Sequence, residues 1–396
     1  MKIVEMSYKE KLKREIALFV GCAQDEVILT WKGRVSLYGI LQALDLEEGD
    51  EIIIPAFTCV VVPNAILYHK LRPIYVDVDP LTLNIDIQKI ENAITNKTKV
   101  ILAQNTFGLS SDLDSIKEIA ERHNLLVIED CTHGFGGSYK NKLNGTNVDA
   151  AFFSSQWNKM FSTGIGGFAI VKNPALKNKL NDFEKKLKAP SVKDEVLLKL
   201  QLIAKETLGY KSLYWNALKL YRYLSKKNLV IGSSSGGEMD SIEMPEGYLK
   251  GLGNVQCKKG IQEVKRIMKN ISYRKNIAAY YDKVLIDLGK GKTLVPENIE
   301  HTYTKYPIFV KDRDAFFKEA EEQKIPIHDW FISQIHPITE NFHLWNLNPE
   351  KFPVSKKLAQ HIVNLPTDFS VDNNLKNRIG KFLQTQKDQI IPYEEL

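Results

Sequence analysis

Between residues 27 and 130, short apolar runs alternate with helical stretches of roughly ten residues, and few folds accommodate that pattern. The runs fall at 27–30, 51–55, 73–77, 100–103 and 125–129; helical periodicity occupies 35–44, 58–68, 86–94 and 112–123. Strands covered on both faces read as continuous apolar segments, and parallel strands need a crossover helix between them. The alternation therefore predicts an α/β fold, with a mostly parallel sheet flanked by helices in a large domain. Ligands of such sheets collect at the carboxyl ends of the strands.

An amphipathic helix at 8–20 places residues 1–30 in an N-terminal helical segment, and 31–173 form the large domain. From 174 to 250 the texture changes. Lysine-rich helical stretches at 175–189, 194–208 and 211–227 lead to Gly232-Ser233-Ser234-Ser235-Gly236-Gly237, an inserted helical region with a mobile loop. Residues 251–396 carry a long helix at 255–285 and a smaller α+β C-terminal domain. Its strands are expected near 303–310 and 325–328, and its helices at 312–323, 353–362 and 373–386.

Composition removes several function classes. No apolar run is long enough to span a membrane, and the first residues lack the apolar core of a signal peptide. Four scattered cysteines, with no Cys-x-x-Cys pair, argue against a disulfide framework or a metal site and suit a reducing cytoplasm. The net charge of +6 suits either anionic small substrates or simply a lysine-rich surface, and no nucleic-acid-binding motif accompanies it.

The run Leu125-Leu126-Val127-Ile128 ends in Glu129-Asp130. About thirty residues on, Lys159 follows Phe153-Ser154-Ser155-Gln156-Trp157-Asn158 and precedes the glycine-rich Ser162-Thr163-Gly164-Ile165-Gly166-Gly167. A carboxylate at a strand end and a lysine on a loop of small residues are what pyridoxal 5'-phosphate (PLP) chemistry requires. The lysine forms a Schiff base, and the aspartate keeps the ring nitrogen protonated so that the ring accepts electrons. A solvated lysine and a helix-capping aspartate are the plain alternatives for each residue alone.

Further motifs resemble the DegT/DnrJ/EryC1/StrS family of sugar aminotransferases. They are Pro55-Ala56-Phe57-Thr58, Asn64-Ala65-Ile66-Leu67, Val76-Asp77-Val78-Asp79-Pro80, Asn84-Ile85-Asp86, Thr98-Lys99 and Phe107-Gly108, then Ile128-Glu129-Asp130-Cys131-Thr132-His133, Phe153-Ser154, Lys159 and Gly166-Gly167. Phe352-Pro353-Val354-Ser355 and Leu365-Pro366 continue the likeness, which is close over 30–173, looser over 255–385 and poor over 174–250.

The resemblance implies PLP-dependent transferase fold type I and a homodimer with active sites at the subunit interface. It makes Lys159 the Schiff-base lysine and proton shuttle, Asp130 the partner of the pyridinium nitrogen and His133 a neighbour of the cofactor's phenolic oxygen. Gly33-Arg34-Val35 matches the family's glycine-threonine-alanine phosphate element at a helix start. Arg34 there exchanges a hydroxyl for a guanidinium that can grip phosphate bidentately. Ser154 matches a phosphate-binding serine, and Gln156 is a further cofactor contact.

Three departures stand out. Cys59 occupies the place of an aromatic residue that stacks on the cofactor. Leu249 and Gly251 replace an asparagine-x-arginine element whose asparagine reaches the partner subunit's phosphate, leaving Lys250 or Asn254 as substitutes. Asn158 replaces a threonine. On the substrate side, His328, Trp330 and His336 lie where the family shapes its sugar pocket. Tyr210, Tyr214, Trp215, Tyr221 and Tyr223, interleaved with Lys211, Lys219, Arg222, Lys226 and Lys227, offer a face for peripheral membrane contact or simply an amphipathic packing face.

These features together imply a PLP-dependent aminotransferase moving an amino group from glutamate to a keto sugar, nucleotide-linked on the leading reading. Two alternatives stay open: a lipid-linked or non-nucleotide keto sugar or cyclitol as acceptor, and a PLP-binding regulatory protein without turnover. Related sugar dehydratases carry histidine at the lysine position, so Lys159 argues against dehydration. The sequence encodes neither the sugar nor the carbon aminated.

Overall fold

The computed structural model describes residues 6–208, 230–232 and 237–396. The helix expected at 211–227, the aromatic and basic residues of that stretch, and Ser233–Gly236 lie outside the described residues. Seven strands make the central sheet: β1 (Val27–Thr30), β2 (Glu51–Pro55), β3 (Arg72–Val76), β4 (Thr98–Gln104), β5 (Leu126–Asp130), β6 (Ala150–Ser154) and β7 (Gly167–Val171), in the order β1-β7-β6-β5-β4-β2-β3. The five from β6 to β3 run parallel, while β7 lies antiparallel to both β6 and β1.

Every residue of β2, β6 and β7 is buried. That is why these strands read as unbroken apolar runs rather than alternating ones. Successive side chains still take opposite faces: Val127 joins the core under α1 (Tyr8–Val20), and Ile128 the core under α2 (Gly33–Ala43) and α3 (Val61–Leu67). Sequence punctuation sets the helix ends. Ser7 and Glu10 form a reciprocal cap at the start of α1, and Gly21 ends it in the left-handed conformation at φ 73°. Asp112 caps α4 (Leu113–His123), and Asn173 caps α5 (Pro174–Lys186), which is followed by α6 (Val192–Leu208).

The helix expected at 255–285 is two helices, α7 (Asn254–Val264) and α8 (Ile267–Asp287). The Arg266 N–H bonds to the Glu263 carbonyl, three residues back, at 3.0 Å, which tightens the chain and redirects it. Redirected, α8 lays Ile267 and Ile271 against Gly136, where a Cβ would meet Ile271 Cδ1 at 2.7 Å, and carries Ile277, Tyr281 and Leu285 into the C-terminal core.

That core surrounds β8 (Tyr306–Val310), which lies between the antiparallel β9 (Ile362–Leu365) and β10 (Ile390–Ile391). Three helices accompany these strands, α9 (Arg313–Glu322), α10 (Pro353–His361) and α11 (Asn373–Thr385). The strand expected at 325–328 does not form. Pro326 has no N–H to give a ladder, and only a single bridge joins His328 to Asn364.

One further pairing matters for the site. Ile335–His336 runs parallel to Thr58–Cys59, with Thr58 N–H donating to the Gln334 carbonyl at 2.9 Å and Val60 N–H to that of His336 at 2.8 Å. Among the described residues, no helix is long and apolar enough to cross a membrane.

Candidate active site

Asp130 ends β5, and the neighbouring β6 runs into the loop that carries Lys159. That loop closes on itself: Thr163 N–H donates to the Ser155 carbonyl at 2.9 Å, and the two hydroxyls meet at 2.7 Å. It thereby turns Lys159 inward.

Burial lowers the Lys159 pKa to about 8; Asp130 and Cys59 oppose that shift, and Arg34 adds to it. Burial raises the Asp130 carboxyl, against the Thr132 N–H at 2.9 Å and the nearby Lys159 charge. Each of these groups is a poor ion alone and a better one beside an opposite charge. Cys59 lies in the same enclosure. Burial holds its thiol protonated, with Arg34, Lys159 and Asp130 all within electrostatic reach.

His133 follows Asp130 by one turn. Its Nδ1 accepts the Phe107 N–H at 3.2 Å, and burial beside Lys159 and Lys305 keeps the ring neutral. The remaining ring proton therefore sits on Nε2, as a donor. Trp330 lies parallel to His133, with centroids 5.2 Å apart at 10°, and the Lys159 ammonium faces the indole at 4.7 Å. The aromatic face beside the lysine thus comes from the C-terminal part of the chain.

At the other end, the start of α2 is pressed against β6 and β7. A Cβ on Gly33 would meet the Phe153 carbonyl oxygen at 2.7 Å and Ser154 Cβ at 3.2 Å; one on Gly167 would meet the Gly33 nitrogen at 2.2 Å. These close approaches bring Ser154 beside the first turn of α2, where the Val35 N–H bonds the Lys32 carbonyl at 2.9 Å.

Arg34, 6% exposed, pairs with Glu238, 2% exposed, at 2.5 Å, and Lys32 lies 3.6 Å from the same carboxylate. Burial opposes the Arg34 charge, and Glu238 sustains it; burial lowers Lys32 to about 8. The Glu238 carbonyl accepts from Asn64 at 2.7 Å, and the Tyr248 hydroxyl donates to the Arg34 carbonyl at 3.1 Å.

A cleft of about 200 Å³ opens beside Lys159, lined by Lys205, Arg274, His328 and Asp368 among others. Burial would raise the Asp368 carboxyl, but Arg274 and Lys305 hold it well below the usual carboxylate range.

The arrangement is a half-buried amine within electrostatic reach of a buried carboxylate, with paired charges around Arg34 at one end and a cleft at the other. The DegT/DnrJ/EryC1/StrS aminotransferase family profile matches residues 2–384. The chain belongs to that family.

It is 28% identical to a GDP-perosamine synthase of Escherichia coli O157:H7, over 86% of this chain and 80% of the relative. It is 33% identical to an L-glutamine:2-deoxy-scyllo-inosose aminotransferase of Streptomyces lividus, over 42% of this chain and 39% of the relative. Among solved structures, a DegT/DnrJ/EryC1/StrS aminotransferase from Brucella abortus superposes with a TM-score of 0.75 at 19% identity, covering 98% of this chain and 92% of that one. NtdA from Bacillus subtilis, with bound PMP (the pyridoxamine form of the cofactor), gives 0.72 at 24%, covering 97% and 78%.

The cofactor of this aminotransferase is PLP, and the residues present fit it. Gly33 and Gly167 lie so close to neighbouring backbone that neither position has room for a Cβ, and the Glu238 carboxylate shows that Arg34 takes an anion.

Gly33, Arg34, Cys59, Asp130, His133, Ser154, Lys159, Trp330 and His336 converge on one site. Val35 turns into the core beneath it, Gln156 sits part-exposed on the Lys159 loop, and His328 lines the cleft. Burial lowers His336 to about 4, and its Nδ1 accepts the Ile332 N–H at 3.2 Å. Of the two substitutes for the missing asparagine, Lys250 is tied to Asp194 at 3.0 Å, and the Asn254 N–H donates to Glu195 at 2.6 Å.

Sequence reasoning missed Glu238, Lys305, Arg274 and Asp368. It also missed Asn105, which donates to the buried Glu129 at 2.7 Å beneath Asp130. For Glu129 a signal existed: it neighbours Asp130 on a strand and must face the other way. For the others there was none.

Proposed function

We propose that this aminotransferase moves an amino group from glutamate to a nucleotide-linked keto sugar, with Lys159 as the cofactor-bearing lysine. The observation that carries the reading is the half-buried Lys159 held within electrostatic reach of the buried Asp130 at the carboxyl edge of β5 and β6. With its pKa near 8, Lys159 is partly neutral at physiological pH, so it can act as nucleophile and then as carrier of the donor's α-proton.

Bound PLP supplies the electron sink for the carbon that loses this proton. Asp130 places negative charge where the ring nitrogen is held. His133 would offer its Nε2 proton to an oxygen of the bound group, and Cys59 and Trp330 would flank its ring. Gly33, Arg34 and Ser154 would hold the phosphate, which would take the place of Glu238 on Arg34.

The names of the GDP-perosamine synthases support a nucleotide-linked acceptor. The scyllo-inosose aminotransferase, more alike over a shorter stretch, supports a cyclitol as the second reading. A cytoplasmic homodimer completes the proposal.

The absorption spectrum of the purified, PLP-loaded protein tests it. L-glutamate is expected to convert the cofactor to its pyridoxamine form, and a panel of keto sugars and cyclitols to convert it back. A cofactor that stays bound and unchanged with every donor would sink the reading in favour of a regulatory protein.

A further inference from the structure

Lys305 immediately precedes β8, and its side chain is 2% exposed. Its ammonium faces the Trp330 ring at 5.4 Å from the centroid, and Lys159 faces the same ring at 4.7 Å. Among the described residues Lys305 makes neither a hydrogen bond nor an ion pair. Asp368 and Asp329 attract it from beyond contact, while Arg274 and Lys159 repel it. The neighbouring Arg274 is engaged with the Thr367 hydroxyl at 2.7 Å and the Thr304 carbonyl at 3.1 Å.

An enclosed ammonium without an acceptor is costly, and burial accordingly lowers Lys305 to about 7. An arriving anion would reverse that cost. Amino transfer supplies one, because an α-amino acid carries a carboxylate on the very carbon whose amine reacts. Both ammoniums border the Trp330 ring and feel each other's charge, so an amine at the Lys159 position brings its carboxylate, two bonds away, towards Lys305.

We propose that Lys305 anchors the carboxylate of the amino-acid donor, as a positioning residue that borders the Trp330 ring as Lys159 does. This rests on the aminotransferase reading. Glutamate and glutamine both carry the group required.

The test uses the PLP-loaded protein with Lys305→Met, Lys305→Gln and Lys305→Arg, following each half-reaction separately by cofactor absorbance. Losing a charge-assisted hydrogen bond should raise the half-saturating concentration of L-glutamate roughly 10- to 100-fold in the Met and Gln variants. The Arg variant should recover most of it, and the keto-sugar half-reaction should not change. Calorimetric binding of glutarate, which cannot react, should weaken in parallel. Should the Met variant not fold, the Gln variant carries the comparison.

An effect confined to the keto-sugar arm would overturn the donor assignment. Unchanged donor saturation and unchanged glutarate binding would overturn the anchor itself. A wild-type protein inert to both glutamate and glutamine would instead strike the underlying aminotransferase reading.

Discussion

Replacing Lys159 with methionine should make the cofactor-free protein more stable, not less. Burial brings the lysine from its ordinary 10.5 to about 8, which corresponds to about 3 kcal/mol of disfavoured charge. Below pH 8 both folded and unfolded chains carry the proton, and the penalty is fully present. Between about 8 and 10.5 the unfolded chain binds more protons than the folded one, so stability rises with pH and the penalty fades. Methionine has similar length and no charge to bury. Urea unfolding of both apoproteins at pH 7 should therefore favour Lys159→Met by about 3 kcal/mol, with the gap closing towards pH 10.5. Adding PLP should reverse the order, since only wild type gains the covalent ligand. A pH-independent gap, or a methionine variant weaker at pH 7, would refute the claim that the folded site holds this amine under electrostatic penalty.

Two further outcomes follow from the phosphate end. Glu238→Gln leaves the enclosed Arg34 without its countercharge, so the apoprotein should lose about 3–5 kcal/mol in urea unfolding. PLP should restore part of that loss and bind more tightly than to wild type, as read by titration of the cofactor's absorbance. Gly167→Ala drives a methyl group to 2.2 Å from the Gly33 nitrogen, so this close approach must open. That variant should lose PLP on dialysis where wild type retains it, and equal retention would contradict the packing argument.

The sheet and the Lys159–Asp130 pair were legible because both are written locally. Apolar runs report burial on two faces, and a strand end is visible in the residue that closes it. The Arg34–Glu238 pair was not, since its members lie 204 positions apart and Glu238 follows a glycine–serine run that reads as linker. Lys305 was hidden for a different reason. Nothing near it in Thr302-Tyr303-Thr304-Lys305-Tyr306 distinguishes an enclosed lysine from a solvated one; only the fold puts Trp330 over it. The break between α7 and α8 was equally silent, because Lys265-Arg266 is ordinary helix sequence and the bend is imposed by what Ile267 and Ile271 pack against.

The two-residue ribbon formed by Ile335–His336 and Thr58–Cys59 limits how this molecule can breathe. It fastens residues 335–336 to the turn after β2 beside the reacting lysine, so the two cannot part without tearing backbone bonds next to the chemistry. The cleft opens instead between the Lys159 loop and the Pro366–Ser370 turn, where among the described residues no backbone hydrogen bond joins the two banks.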